Sequence, residues 1–241
     1  MSSSIGTGPW NPCCRANAET YSGPADGAGF TQEIAVTESI IISQPPQAEH
    51  LYLLFHGVGS TPQSMEPLGR LIAAEIPQAA VISVCAPMAF DQAENGYQWF
   101  SVAGVNEANR EQRVRQAMPD FLRCIHRWQE ITASSPQDTT LIGFSQGAIM
   151  SLSLTQMVSS PAAAQIIALS GRLCGAQHPA KTDARIHILH GRQDPVMPYS
   201  LAEQAFATLK NAGTEVTLDL FDGLGHSISP AEAATLLSYI K

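Results

Sequence analysis

Short apolar runs alternate with helix-patterned segments along most of this 241-residue chain, and that alternation limits the accessible folds more than any other feature. Runs such as LYLLF (51–55) and TTLIGF (139–144) are continuously apolar or nearly so, which is typical of strands buried on both faces. In the segment 107–132, apolar residues recur every three or four positions and form one helical face. Strands that alternate with helices predict an α/β fold with a mostly parallel central sheet and helices on both faces.

The predicted elements begin near residue 30. Pro119 falls inside the predicted helix 107–132 and is expected to kink or divide it, because proline removes a backbone hydrogen bond. The stretch 88–106 is expected to be a long loop with a turn at Asn95–Gly96. The predicted strands cover 33–42, 51–55, 79–87, 139–144, 165–171, 185–191 and 215–221, and the predicted helices cover 63–76, 107–132, 147–158, 199–211 and 230–240.

The first 29 residues differ from the rest in composition, being rich in Gly, Ser, Pro and Ala. They are expected to form a flexible extension (1–29) ahead of one folded domain (30–241). The extension has no basic segment followed by an apolar one, so it is not expected to be a secretory signal, and no apolar run in the chain is expected to span a membrane. Cys13 and Cys14 lie in it without further metal ligands nearby, which disfavours a metal or redox role.

Charge and cysteine content exclude several classes of partner. The net charge is −8 and no cluster of Lys and Arg occurs, which argues against nucleic acid and against an anionic membrane surface. The five cysteines are odd in number, irregularly spaced and without a Cys-x-x-Cys pair, so a cytoplasmic, reducing location is expected. Composition leaves open whether the chain acts alone or as a homodimer.

The segment LIGFSQGAIM (141–150) contains a Gly-x-Ser-x-Gly motif centred on Ser145. A predicted strand precedes the motif and a predicted helix follows it, which is the context of a nucleophile elbow. The flanking glycines let neighbouring backbone approach the serine, and the helix N-terminus favours developing negative charge. The alternative is a simple tight turn. Ser145 is therefore the candidate nucleophile.

A serine nucleophile needs a base, and histidines downstream of Ser145 are the candidates. His226 lies in the Gly-rich segment DGLGHSIS, after the last predicted strand and before the last predicted helix, where this fold places its base. His187 and His190 belong to a predicted strand and are expected to be structural, and His178 is expected to be solvated. His226 is the predicted base.

The third member of such a triad is an acid placed between the nucleophile and the base in the chain. Asp194, in HGRQDPVMP, lies just past the end of strand 185–191 and is favoured by position, although it is also a plausible turn former. Asp222 also follows a strand but is only four residues from His226, and it is the less favoured choice. Asp183 precedes a strand and Asp219 alternates within one.

An oxyanion formed during acyl transfer needs two backbone N–H donors. One is expected from Gln146, which follows the nucleophile, and the other from Val58 in the loop HGVGS (56–60). His56 is expected to brace this loop rather than to act as a base. Residues in the loops around the predicted site are expected to line an acyl pocket, with plain packing as the alternative; these are Met65, Trp99, Phe100, Met197 and Leu224.

The segments LLFHGVGS, QWFS, GFSQGAIM, HGRQDPVMP and GLGHSIS resemble the phospholipase/carboxylesterase group of the α/β-hydrolase fold, which includes the acyl-protein thioesterases. The likeness covers nearly all of residues 49–226. It implies the same triad and the same two oxyanion-hole amides that the residues themselves indicate. The chain departs from the group at Ser60, where an Asp is frequent, and at Ala148, where a second Gly is frequent.

The residues together predict a serine carboxylesterase that hydrolyses short- to medium-chain carboxylic esters through an acyl-enzyme. Its partner is a small-molecule ester, and no metal or organic cofactor is expected. The predicted elements use nearly all of 30–241, so no large cap domain is expected. An acyl thioesterase or lysophospholipase with the same triad is the nearest alternative. A non-catalytic hydrolase-like binding protein is disfavoured, because all three triad members are present.

Overall fold

Seven strands form the central sheet in a computed structural model that describes residues 39–175 and 180–240. Two further short strands pair only with each other. In chain order the strands are β1 (Ile40–Ser43), β2 (His50–Phe55), β3 (Ala79–Val84), β4 (Met88–Ala89), β5 (Tyr97–Gln98), β6 (Thr139–Phe144), β7 (Gln165–Leu169), β8 (Arg185–Gly191) and β9 (Val216–Phe221).

The sheet runs β1-β3-β2-β6-β7-β8-β9, and every neighbouring pair is parallel except β1 with β3. The predicted mostly parallel α/β sheet is confirmed. Because the chain moves outward from β2 to β3 and then returns to β6 on the other side, the strand order reverses between β2 and β6. Ligands of open α/β sheets bind beyond the strand ends at such a reversal. The loop 56–60 and Ser145 follow these two strands directly.

Five α-helices in the described residues cover both faces of the sheet, as predicted. They are α1 (Glu66–Glu75), α2 (Glu107–Thr132), α3 (Gln146–Met157), α4 (Ser200–Asn211) and α5 (Pro230–Tyr239). One core cluster joins the sheet to apolar side chains of α2, α3 and α4, such as Phe121, Ile149 and Leu209. The other joins it to α1 and α5 through residues such as Ile72 and Leu236. The described residues fall within one compact unit with no large cap domain.

Two expectations about local structure need correction. Helix α2 continues through Pro119 as one element and is not divided there. Its apolar face is buried from Val114 to Trp128, and an Asn106–Asn109 capping box satisfies its first amides, so packing on both sides of the proline offsets the lost hydrogen bond. The stretch predicted as one long loop contains the β4–β5 pair, with Gly96 at φ 95°.

Other expectations fall on residues that the structure does not describe. The extension 1–29, with Cys13 and Cys14, lies outside the described residues, as does His178. The predicted strand 33–42 is described only from residue 39 onward. The division of the chain at residue 30 therefore stays a prediction.

At one position helix α3 lies so close to the sheet that only a glycine fits between them. A Cβ added to Gly147 would lie 2.2 Å from the Phe55 carbonyl oxygen and 2.8 Å from the Phe55 Cβ on β2. A Cβ added to Gly143 would lie 2.5 Å from the Ala148 nitrogen in the first turn of α3. Both glycines of the Gly-x-Ser-x-Gly motif are thus required by the contact between this helix and the strands beside it.

Replacing Gly147 with alanine should therefore push α3 away from β2. We expect Gly147→Ala to lower the free energy of unfolding by about 1–3 kcal/mol, because the extra methyl meets rigid backbone rather than a movable side chain. Urea denaturation followed by circular dichroism measures this change. Gly225→Ala is the matched control, since the nearest atom to its added Cβ is 3.8 Å away. An unchanged urea midpoint for Gly147→Ala would contradict the close approach.

Candidate active site

Ser145 occupies a strained backbone position between β6 and α3. Its φ is 52° and its ψ is −113°, a conformation that residues other than glycine adopt at a cost of about 1–3 kcal/mol. The amide of Ser145 donates to the carbonyl oxygen of Leu169 at 2.9 Å, which fixes the turn to the neighbouring strand. The turn places the Ser145 side chain at the N-terminus of α3, beyond the end of β6.

A chain of two hydrogen bonds joins Ser145 to two residues from distant loops. The Ser145 Oγ lies 2.9 Å from Nε2 of His226, and Nδ1 of His226 lies 2.7 Å from Oδ2 of Asp194. A carboxylate can only accept, so Nδ1 carries the proton and Nε2 is free to accept from the serine hydroxyl. The structure thus brings together the three residues predicted as nucleophile, base and acid.

The alternative acids lie elsewhere. The Asp222 side chain is 89% exposed and pairs with Arg192 at 3.1 Å, so it points to solvent. Asp219 accepts a hydrogen bond from the Tyr239 hydroxyl at 2.6 Å, and Asp183 lies 4.0 Å from the Lys181 ammonium.

Asp194 is buried, and its charge is stabilised by hydrogen bonds from the backbone of its own turn. Its Oδ1 accepts from the amides of Val196 at 2.9 Å and Met197 at 2.8 Å, while Oδ2 faces His226. Burial alone would raise the pKa of Asp194, but the Met197 and Val196 amides and the His226 ring outweigh it and hold this pKa below its ordinary value. The Asp194 carboxyl is therefore ionised at neutral pH.

His190 lies beside this acid and completes its surroundings. It is fully buried, and its Nε2 lies 2.7 Å from the Met197 carbonyl oxygen and 3.4 Å from the Asp194 Oδ2. Nε2 must donate to the carbonyl, so the proton sits there. Burial lowers the pKa of His190, which keeps the ring neutral. Its predicted structural role is thus to support the turn that carries the acid.

The loop 56–60 lies against Ser145. A Cβ added to Gly57 would be 3.2 Å from the Ser145 Cβ. The amide of Gly59 donates to the Tyr97 carbonyl at 2.8 Å, and that of Ser60 donates to the Gly57 carbonyl at 3.3 Å. Within the described residues the amide of Val58 has no such acceptor, and Val58 lines the same cavity as Ser145.

His56 braces this loop from inside the protein, as expected. Its ring is fully buried, with Nδ1 2.8 Å from the Gly57 carbonyl oxygen and Nε2 accepting from the Ala86 amide at 3.2 Å. Burial lowers the pKa of His56, so the ring is neutral and donates through Nδ1. The Trp99 indole N–H donates to the His56 carbonyl at 3.0 Å and ties a second loop to the first.

Gln146 has a side-chain function that sequence reasoning did not find. Its Oε1 accepts from the Trp99 amide at 2.7 Å, and its Nε2 donates to the Phe100 carbonyl at 2.7 Å. The side chain therefore clamps the segment 99–100 to the start of α3. Its backbone amide is in the first turn of the helix, where intrahelical acceptors are absent.

Ser145 lines a cavity of about 440 Å³. Ser145, Gln146 and Val58 line it, and so do Phe100 and Met197 among the five residues predicted for the acyl pocket. The remaining apolar wall comes from Val102, Ile149, Val196, Pro198 and Leu201.

The other three predicted pocket residues are not part of this cavity wall. Met65 is 1% exposed and packs in the core beneath α1, and Trp99 is 2% exposed and packs edge-on against Phe55 and Phe121. Leu224 is also buried, and its carbonyl accepts from the Gln193 amide at 3.0 Å. Their side chains fill the protein interior, because the loops that carry them turn inward at these positions.

Metal-binding clusters and membrane-spanning helices are both absent from the described ranges. No group of three or more His, Cys, Asp and Glu side chains there is arranged to hold a metal ion. No helix within them has the length and hydropathy needed to cross a bilayer.

The fold and the site define an α/β-hydrolase. A model of the phospholipase/carboxylesterase family matches residues 36–241, and the chain belongs to that family. Its class of activity is carboxylic ester hydrolysis by a serine hydrolase.

Relatives and solved structures agree with this assignment. The chain is 38% identical to esterase YpfH of Escherichia coli over 203 residues. The matched region covers 84% of this chain and 86% of the relative. It is 27% identical over 210 residues to carboxylesterase SOBER1 of Arabidopsis thaliana, covering 80% of this chain and 90% of the relative. The crystal structure of esterase PE8 superimposes with a TM-score of 0.77 at 26% identity, covering 84% of this chain and 96% of the other.

One buried carboxyl group near the site takes no part in the hydrogen-bonded chain. Glu232, in the first turn of α5, is fully buried, and neither of its carboxyl oxygens has a hydrogen-bond partner among the described residues. Burial, together with the negative charge of Asp194 and against the opposing effect of the Ser229 amide, raises the pKa of Glu232 to about 7. The folded protein therefore holds a proton on Glu232 at pH values where the unfolded chain has lost it.

This difference predicts a pH-dependent gain in stability for Glu232→Gln. The folded pKa is above the unfolded one, so wild-type stability falls as pH rises from about 4.5 to about 7. Because glutamine stays neutral, we expect the variant to raise the free energy of unfolding by up to about 3 kcal/mol at pH 8 and much less at pH 5. Urea denaturation at both pH values measures this.

Glu203→Gln is the matched control, since Glu203 lies in the first turn of α4 with an exposed side chain. It should change the free energy of unfolding little at either pH. An equal effect of Glu232→Gln at pH 5 and pH 8 would show that Glu232 is ionised in the folded protein.

Proposed function

We propose that the chain is a serine carboxylesterase that hydrolyses short- to medium-chain carboxylic esters through an acyl-enzyme, with Ser145, His226 and Asp194 as its triad. One observation carries this proposal: the continuous hydrogen-bonded chain from the Ser145 hydroxyl through His226 to Asp194. Its direction is fixed, since Asp194 only accepts and so leaves Nε2 of His226 able to take the serine proton.

The first half-reaction follows from this arrangement. Ser145 Oγ attacks the ester carbonyl carbon while Nε2 of His226 removes its proton, and the carbonyl π electrons move to the oxygen. Asp194 stabilises the resulting imidazolium through Nδ1. His226 then gives the proton to the leaving alkoxide, the C–O bond of the ester breaks, and an acyl-serine remains.

Water completes the cycle by the same route. His226 takes a proton from water, the hydroxide adds to the acyl carbon, and the second tetrahedral intermediate breaks down as Ser145 Oγ leaves and regains the proton. The carboxylic acid is released and the enzyme returns to its starting state.

The oxyanion of both intermediates is proposed to rest on the amides of Val58 and Gln146. Two features support this: the Val58 amide lacks an acceptor among the described residues, and the Gln146 amide is at the N-terminus of α3. Both residues line the cavity that contains Ser145. Donors held in place before the reaction stabilise the transition state without reorganisation, at about 3 kcal/mol each.

The acyl chain is proposed to lie along the apolar wall that includes Phe100, Ile149, Met197 and Leu201. The cavity has the volume of a small-ligand site. An acyl thioesterase is the alternative, and it is supported by a 30% identity over 114 residues to acyl-protein thioesterase 1 of Gibberella zeae, although that match covers only 44% of this chain.

Replacing Asp194 tests whether this residue, rather than the nearby Asp222, is the acid of the triad. In Asp194→Asn, the amide group would donate to Nδ1 and leave the imidazole proton on Nε2, so the ring could no longer accept from Ser145. We expect kcat for 4-nitrophenyl butanoate to fall by about ten-thousandfold. Asp222→Asn, at an exposed acid four residues from His226, should leave kcat near the wild-type value. Equal loss in the two variants would contradict the assignment of the acid.

A graded substrate series tests the proposed acyl range. Each methylene that contacts the apolar wall contributes about 0.8 kcal/mol, so kcat/KM for 4-nitrophenyl esters should rise from acetate to butanoate and level off by octanoate. Coenzyme A thioesters of the same acids should react more slowly. Ser145→Ala supplies the blank and should be inactive towards all of them. A steady rise to hexadecanoate, or faster thioester cleavage, would instead favour a thioesterase or lysophospholipase.

A further inference from the structure

Two arginines line the cavity that contains Ser145. Arg110 lies near the start of α2, and Arg172 lies in the loop that follows β7. Their side chains are only 20% and 16% exposed, so both guanidinium groups are largely withdrawn from bulk water. Neither belongs to the triad or to the proposed oxyanion hole. An ester whose acyl chain and alcohol are both uncharged would form no ion pair with either guanidinium group.

One carboxylate serves both guanidinium groups. Glu107 accepts from Arg172 through both oxygens, at 2.9 and 2.6 Å, and from Arg110 through one oxygen at 3.1 Å. The arginines hold the pKa of Glu107 below its ordinary value, Arg172 being the main cause, so its charge is present throughout the neutral range. No other described residue of the cavity wall is charged, so the described wall holds two guanidinium groups and one carboxylate.

Each of the two arginines also has a buried hydrogen-bond donor without an acceptor among the described residues. The Nε atoms of Arg110 and Arg172 are buried, and within the described ranges neither has a hydrogen-bond partner. A guanidinium group carries five N–H donors, and a buried donor without an acceptor is unfavourable. A purely structural link between α2 and the loop after β7 would need only Arg172 and Glu107, which already form a two-point pair.

We infer that the substrates of this esterase carry an anionic group, a carboxylate or a phosphate, which binds the Arg110–Arg172 pair while Ser145 attacks the ester carbonyl. The inference rests on the proposed function and names the class of ester that this site prefers. The planar guanidinium fork matches the oxygens of a carboxylate or phosphate, and partial burial strengthens the attraction relative to water. The chain as a whole carries a charge of −8, so long-range attraction does not supply this preference and the local pair must.

Matched pairs of esters that differ only in charge test the inference. For the acyl side, 4-nitrophenyl hemiglutarate is compared with 4-nitrophenyl pentanoate, which has the same chain length without the carboxylate. For the alcohol side, 4-acetoxybenzoate is compared with its methyl ester. We expect the anionic member of one pair to have the higher kcat/KM by about tenfold or more at low ionic strength, and that pair shows which side of the ester carries the anion. The preference should shrink as sodium chloride is added.

Charge-removing variants then assign the preference to the pair. Arg110→Gln and Arg172→Gln should each lower kcat/KM for the anionic ester by about tenfold more than they lower kcat/KM for the neutral ester. Arg123→Gln is the control: it removes the same charge from the same helix, but Arg123 is 57% exposed, pairs with Asp120 and does not line the cavity. It should alter neither substrate.

A measurement on the wild-type protein keeps the test independent of the variants' folding. Glutarate and inorganic phosphate should inhibit hydrolysis of 4-nitrophenyl pentanoate competitively, and pentanamide should not do so at the same concentration. Equal kcat/KM within both ester pairs, or an equal loss for charged and neutral esters in the arginine variants, would overturn the inference. If Ser145→Ala instead retained activity on the neutral esters, the proposed function itself would fail, and that result is distinct from a missing preference for anions.

Discussion

The sharp turn between β6 and α3 is the constraint on which the rest of the site depends. Ser145 adopts a backbone conformation that is unfavourable for its residue type, and the surrounding contacts must hold it there. The Leu169 carbonyl fixes its amide, and Gly147 lets α3 rest directly on the backbone of β2. The loop 56–60 follows β2 and lies against Ser145, so the packing of α3 on β2 positions both Ser145 and this loop.

Asp194 and the neighbouring Glu232 are buried carboxyl groups that their surroundings hold in opposite protonation states. Asp194 receives two backbone amides and an imidazole N–H, and these donors keep it ionised. Glu232 receives no hydrogen bond from the described residues and keeps its proton to about neutral pH. Groups whose surroundings push their pKa values apart can take separate roles within one site. Here the separation leaves a single negative charge facing His226, and that charge orients the imidazole.

The parts of this molecule that follow from periodicity and chain order could be predicted from the sequence. Apolar runs gave the parallel sheet, and the ends of its strands placed Ser145, Asp194 and His226 on one edge, where the structure brings them within hydrogen-bond distance. Side-chain direction within loops could not be predicted in this way. Trp99 and Phe100 are adjacent, yet Trp99 fills the core and Phe100 lines the cavity, because the clamp by Gln146 fixes which of them turns inward. The proximity of Glu232 to Asp194 depends likewise on tertiary packing.

The clamp formed by Gln146 has a consequence for how new specificities can arise in this scaffold. Gln146 is the proposed donor of a backbone N–H to the reacting oxygen, and its side chain holds the segment that carries Phe100 on the cavity wall. Any substitution that reshapes the cavity wall by moving the segment 99–100 will also displace the first turn of α3, because Gln146 joins the two. Variants with altered acyl preference are therefore more accessible through Leu201, whose side chain lines the cavity and whose backbone amide donates to Pro198 rather than to the Ser145 turn.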